Sequence, residues 1–334
     1  MRAIQVPYAG GPFELVERPL PEPGPGEVRV TVQACGVCHS DASSKDGGMG
    51  TRYPIVPGHE IAGVIDALGP GVQGWRIGQR VGAGWFGGMC GHCDRCRRGN
   101  PMSCRNRVIH GVTRDGGYAE AVVVDAAAVA LIPDELSAVE AAPMLCAGVT
   151  TYNALKRCRV SPGGTVAVLG LGGLGHLCVQ FAAKMGCRTI AIARGEARRD
   201  LALKLGAHHY IDSTAGDVAA ALNALGGAEA LVATVTDADA ISAVIDGLAL
   251  DGRLMVVGVP GGPIRVFAWQ LLYGRTLQGS AGGVAADSED AMAFAALQDI
   301  RPVVETLPLE RAAEAYDRMM AGEARIRMVL TTGL

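Results

Sequence analysis

Residues 34–41 read ACGVCHSD, a run whose residue types can do three kinds of chemistry. Cys35, Cys38 and His39 match C-x-x-C-H, the attachment signature of a c-type haem, and Cys35 with Cys38 alone matches a redox dithiol. A third reading makes one of the cysteines a metal ligand. Each reading needs different partners elsewhere in the chain, so the run by itself decides nothing.

A second cluster, CGHCDRCRRGNPMSC, sets Cys90, Cys93, Cys96 and Cys104 at C-x2-C-x2-C-x7-C. Four thiolates at this spacing suit a closed tetrahedral Zn²⁺ site, structural because four protein ligands leave no open position. An iron–sulfur cluster is the competing metal reading. Free core thiols do not gather in a loop rich in Gly, Arg and Asp. His92, inside the loop, reads as a solvated side chain.

The third motif is GLGGLG, where Gly170, Gly172, Gly173, Leu174 and Gly175 follow the apolar run TVAVLG and open a helical pattern. That context is what the dinucleotide fingerprint requires. Gly170 permits a tight turn, Gly172 lets backbone approach a pyrophosphate, and Gly175 lets helix and strand pack closely. The helix N-terminus offers free N–H groups to the phosphates. The next strand ends RTIAIARGEARRD, with Ala193 and Arg194 where an acid would grip the ribose of NAD. Arg194, Arg198 and Arg199 can instead pair with a 2′-phosphate, so NADP(H) is favoured, with Glu196 as a counter-signal. A dispersed set remains: Cys38, His59 with Glu60 in PGHEIAG, and Cys146 in MLCAGVTTY. Spacing does not show that these converge, and each alone reads equally as a core thiol or a loop histidine.

These residues need elements to hold them. A chain of 334 residues, 49% hydrophobic and 19% charged, is expected to fold into two globular domains. Its net charge of −3 carries no basic footprint, which points to a small-molecule partner and away from nucleic acid. The start has no basic region followed by an apolar core, and no apolar run approaches the roughly 20 residues of a membrane helix. A cytoplasmic protein without membrane contact is expected. There the ten cysteines are not expected in disulfides and covalent haem is out of place, which favours metal binding.

Residues 1–130 are rich in Gly, Pro and short β-branched runs (EVRVTVQ, IAGVIDAL, RVGAG, YAEAVVV), the texture of an irregular β domain. Ser137 and Glu140 then predict an N-terminal capping box. From Thr165 strands and helices alternate, predicting an α/β, doubly wound parallel sheet. The tail offers helix EDAMAFAALQ, strand VVETLPL, helix ERAAEAYDRMM and strand RIRMVLT, able to complete either domain.

Taken in order, GVCHSD, PGHEIAGVI, the four-cysteine lobe, LCAGVTTY, VLGLGGLG and RMMAGEARIRMVL resemble the medium-chain, zinc-dependent alcohol dehydrogenases almost end to end. Among them the chain is most similar to the bacterial and cinnamyl-alcohol-type branches, which act on primary alcohols and aldehydes. The resemblance implies a β-rich, GroES-like catalytic domain at residues 1–147 and 285–334 and a Rossmann domain at 148–284. It implies two zincs per chain, with Cys38, His59 and Cys146 ligating the catalytic one and Glu60 beside it as an exchangeable ligand. By the same resemblance Ser40 passes the proton, Asp41 orients His59, and His39 and Thr150 approach the cofactor. The C-x-x-C-H match is then a coincidence and Cys35 a small core residue.

Two departures stand out. Many relatives carry a histidine where this chain has Ser43, and the NAD-preferring members carry an acid where it has Ala193. Trp85 and Phe86 match aromatic pocket walls and read equally as packing under the lobe. RTLQGSAG resembles the strand through which relatives pair, implying a homodimer or homotetramer. Two rival functions remain: reduction of a C=C or C=N bond on the same fold, and a non-enzymatic zinc module with a basic RCRR run. Cys158, Cys178, Cys187, His110, His176, His208 and His209 read as structural.

Overall fold

The strand Glu27–Val37 alternates half-buried and buried residues over its first eight positions, the period of a strand with one face on a core. The computed structural model describes residues 1–324 and 326–334; Arg325, which begins the expected closing strand RIRMVLT, lies outside them. Two compact units result, Met1–Val149 with Gly283–Leu297 and Arg301–Leu334, and Thr150–Gly282 with Gln298–Ile300. The tail is therefore divided between the units.

Among the described residues the first unit holds a seven-stranded sheet ordered Val304–Pro308, Arg327–Thr331, Glu27–Val37, Ile61–Leu68, Arg80–Ala83, Val129–Leu131, with Ala121–Asp125 also paired to Glu27–Val37. Glu27–Val37 runs beyond the expected EVRVTVQ because Ala34–Val37 pair antiparallel with Met328–Thr331. Val28, Val30, Ile61, Ile65, Tyr118 and Leu330 pack in its core. The helix Ala138–Pro143 begins with the expected capping box: Glu140 N donates to Ser137 Oγ, and Ser137 N donates to Glu140 Oε2 at 2.9 Å.

The second unit carries six parallel strands whose sheet order, numbered along the chain within this unit, is 3-2-1-4-5-6. That is the order of the doubly wound dinucleotide fold. The central strand Thr165–Leu169 is buried throughout, as a parallel strand covered on both faces must be. Two expected helices are shorter than their sequence patterns: a 3-10 turn, Glu196–Arg198, precedes Arg199–Lys204, and another, Ile245–Gly247, follows Ala238–Ala243. Among the described residues no helix is long and apolar enough to cross a membrane.

Candidate active site and metal centres

Strand register assembles the first centre. Cys35 is paired with Ile61, and Gly36 N donates to Glu60 O at 3.0 Å. Cys38, just past the end of one strand, therefore meets His59 and Glu60, just before the start of its neighbour. Cys146 enters from the π-helical turn Met144–Gly148. One ligand atom from each of Cys38, His59, Glu60 and Cys146 lies within 4.8 Å of all the others, and the two sulfurs are 3.9 Å apart. Metal–sulfur bonds of about 2.3 Å in a tetrahedron put sulfurs roughly 3.8 Å apart, so the donor set fits a single zinc ion.

The surrounding groups prepare that donor set. Asp41, on the 3-10 turn His39–Asp41, places Oδ1 2.9 Å from His59 Nδ1, while its Oδ2 accepts from Cys38 N at 2.9 Å and from Tyr118 Oη at 2.8 Å. This fixes the imidazole with Nε2 buried and without a partner in the described structure. A carboxylate behind a ligating imidazole sets its tautomer and raises its basicity. A hydrogen bond from the Cys146 thiol, helped by His59, holds the Cys38 thiol well below its ordinary range, while Cys146 itself is pushed up. Burial lowers the His59 pKa, but Asp41 and the Cys38 thiolate outweigh it and raise the net value. Trp85, half-buried, stands edge-on to the His59 ring with centroids 4.8 Å apart, while Phe86 is buried. Ser40 and His39 are exposed on their turn; Ser43 is half-buried, its carbonyl accepting from Thr51 Oγ1. Thr150 lies in the second unit on the helix Val149–Cys158.

Sequence reasoning missed Arg327. It is buried at the start of the strand that pairs with Glu27–Val37, and its guanidinium donates to Glu60 Oε1. Burial pushes the Glu60 carboxyl up to about 7 even with Arg327 opposing that shift. The available signal was a cation opening the apolar run RMVL.

The second centre is self-contained. The sulfurs of Cys93 and Cys96 are 3.5 Å apart, those of Cys104 and Cys90 3.6 Å, and those of Cys93 and Cys104 4.0 Å. These separations exceed an S–S bond of about 2.05 Å and match the edges of one tetrahedral ion. Backbone N–H groups of Arg105 and Cys96 lower the Cys93 thiol to about 6, whereas desolvation and the neighbouring thiols push Cys96 up to about 12. Thiols this close ionise together only around a cation. His92 is exposed, its ring nitrogen on the Cys90 carbonyl. The lobe's regular helix is the short turn Asp94–Arg97, with no buried residue, so a metal held by the four sulfurs would supply much of its folding energy. Chelation of the zinc-loaded protein should therefore raise tryptic cleavage at Arg95, Arg97 and Arg98 by about tenfold or more, and restored zinc should reverse it. Unchanged cleavage would mean that the lobe is held by something else.

In the second unit, the turn after Thr165–Leu169 has the shape the glycines predict. Gly170 sits at φ +97°, and a Cβ on Gly175 would lie 1.9 Å from the Gly170 carbonyl oxygen. Gly172 faces open space, with nothing within 4 Å of where a Cβ would stand. The helix Gly175–Lys184 starts there, and Gly173 and Leu174 complete the turn. Arg198 ends the 3-10 turn Glu196–Arg198, Arg199 follows it, and Arg194 is exposed.

Comparison with known proteins agrees with this architecture. Residues 24–134 match the alcohol dehydrogenase GroES-like domain, and residues 173–297 match the zinc-binding dehydrogenase family. The chain is 42% identical over 322 residues to alcohol dehydrogenase notN of Aspergillus sp. (strain MF297-2), covering 96% of this chain and 95% of that one. It is 37% identical to NADP-dependent alcohol dehydrogenase C 1 of Mycolicibacterium smegmatis (strain ATCC 700084 / mc(2)155), covering 92% and 91%. A solved NAD-dependent alcohol dehydrogenase superposes with a TM-score of 0.92 at 32% identity, covering all of both chains. Relatives thus differ in the nicotinamide cofactor in their names. The chain belongs to the medium-chain, zinc-type alcohol dehydrogenases, oxidoreductases that act on alcohols with NAD(P).

Proposed function

We propose that this enzyme interconverts primary alcohols, aromatic or allylic ones included, with their aldehydes, prefers NADP(H), and holds two zincs per chain. The observation that carries the reading is the buried, unpartnered Nε2 of His59 facing the Cys38 and Cys146 sulfurs. Three such ligands leave a fourth position for a substrate oxygen. Bound zinc supplies Lewis acidity, lowering the pKa of an alcohol and polarising a carbonyl. The chain's own residues do the rest. Asp41 holds His59 in the ligating tautomer, and Glu60 stands by as an exchangeable carboxylate. Ser40 takes the hydroxyl proton, which leaves through water, Ser43 or a cofactor hydroxyl because no histidine occupies that position. The indole of Trp85 narrows the approach to His59, which favours unbranched carbons beside the reacting one. His39, Thr150, the glycine turn and the arginines at 194, 198 and 199 hold the cofactor.

An oligomer is part of the reading. The strand Thr276–Gly279 ends the parallel sheet and is exposed throughout, and Phe267, Trp269, Leu272 and Tyr273 stand exposed in the preceding segment. An open sheet edge with an apolar surround is suited to a symmetric pairing.

The test is reduction of cinnamaldehyde, with NADPH and NADH side by side and zinc content measured. Cinnamyl alcohol as product, faster turnover with NADPH and two zincs per chain are expected. A saturated aldehyde would mean that the enzyme reduces C=C, and faster turnover with NADH would overturn the cofactor assignment.

A further inference from the structure

The arginines around the adenosine end of the cofactor site do different work. Ala193 is paired with Asp212 of the neighbouring strand, whose Oδ1 accepts from Gly195 N at 2.7 Å and from Thr214 N and Oγ1 at 2.8 and 2.7 Å. Through that oxygen Asp212 shapes the turn. Arg198 Nη1 donates to the Leu171 carbonyl at 2.6 Å, which ties this turn to the glycine loop. Arg199 is oriented for recognition but occupied. Its Nη2 donates to Glu196 Oε1 at 2.9 Å, its Nε donates to the other carboxylate oxygen, and its guanidinium lies 4.9 Å over the Tyr210 ring. Tyr210 is fixed in turn, donating to the Gly195 carbonyl.

We propose that Glu196 and Arg199 form a latch that sets the strength of cofactor discrimination: a 2′-phosphate must displace Glu196 to reach the Arg199 fork. This rests on the NADP(H) reading above. A carboxylate and a phosphate compete for the same planar, bidentate donor. Arg199 and Glu196 side chains are 43% and 59% exposed, so their pair is a weak surface one that a phosphate dianion can open. Once displaced, Glu196 is a like charge beside the phosphate and continues to oppose it. The latch therefore lowers the preference for NADP(H), and the stacking on Tyr210 keeps the fork aimed in both states.

Calorimetric binding of 2′,5′-ADP and 5′-AMP to the full, zinc-loaded chain tests this without turnover. Glu196→Gln should bind 2′,5′-ADP about three- to tenfold more tightly and leave 5′-AMP within about twofold. Arg199→Met should lose affinity for 2′,5′-ADP only, whereas Arg198→Met, which loosens the loop, should weaken both fragments alike. A fragment ratio unchanged by Glu196→Gln, or both fragments tightening together, overturns the latch. The wild-type ratio tests the cofactor reading separately. If the wild type shows no preference and Glu196→Gln creates one, the NADP(H) reading fails and the latch stands.

Discussion

Cys38→Ala should leave the protein one zinc short per chain and lower kcat by about 10³-fold or more, with the lobe zinc and the trypsin resistance of residues 90–107 unchanged. A Lewis acid contributes several kcal/mol to such a reaction, and each 1.36 kcal/mol is about tenfold in rate. Cys38 is the variant to choose because its sulfur lies 3.9 Å from that of Cys146 and within 4.8 Å of the His59 and Glu60 ligand atoms, so its loss opens the donor set without touching the lobe. Asp41→Asn should do less, about 10- to 100-fold, because the ligands stay and only the tautomer and aim of His59 loosen. Zinc content and kcat measured together decide the matter. If Cys38→Ala retains both zincs and its rate, the assignment of the catalytic centre is wrong.

The two centres differ in how readable they were. The lobe cysteines lie within one loop, and their spacing alone predicts a cluster. The glycine turn was equally legible, since strand, turn and helix follow one another in the sequence. Cys38 and Cys146 are 108 residues apart, and long-range packing, with the pairing of Cys35 with Ile61 and the π-helical turn at Met144–Gly148, brings them together. No local pattern encodes that register, so the resemblance to a family had to supply the set. Arg327 and Tyr118 were illegible for a further reason: each acts on a ligand, or on the residue that holds one, from a strand or loop distant in sequence. The arginines at 198 and 199 were visible as charges, but not as a loop brace and a clamped fork, because their partners, a backbone carbonyl and Glu196, are fixed by a 3-10 turn where a helix was expected.

Arg327→Met should destabilise the zinc-loaded protein by about 3–5 kcal/mol, and Arg327→Met combined with Glu60→Gln should recover more than half of that loss. Arg327 and Glu60 side chains are 5% and 0% exposed, so removing the cation leaves a carboxylate buried without its counter-charge. Breaking one side of a buried pair costs far more than replacing both, which is why the double variant separates the causes. Methionine keeps most of the volume of the arginine stem, so packing changes little at the strand that carries it. Were Arg327 only filling space, Arg327→Met would cost less than about 1.5 kcal/mol and Glu60→Gln would rescue nothing. Urea unfolding of the wild type and the three variants, at matched zinc content, gives the coupling directly. A coupling near zero would return Glu60 to the neutral, protonated form that its raised pKa permits, and Arg327 to a structural role independent of the metal centre.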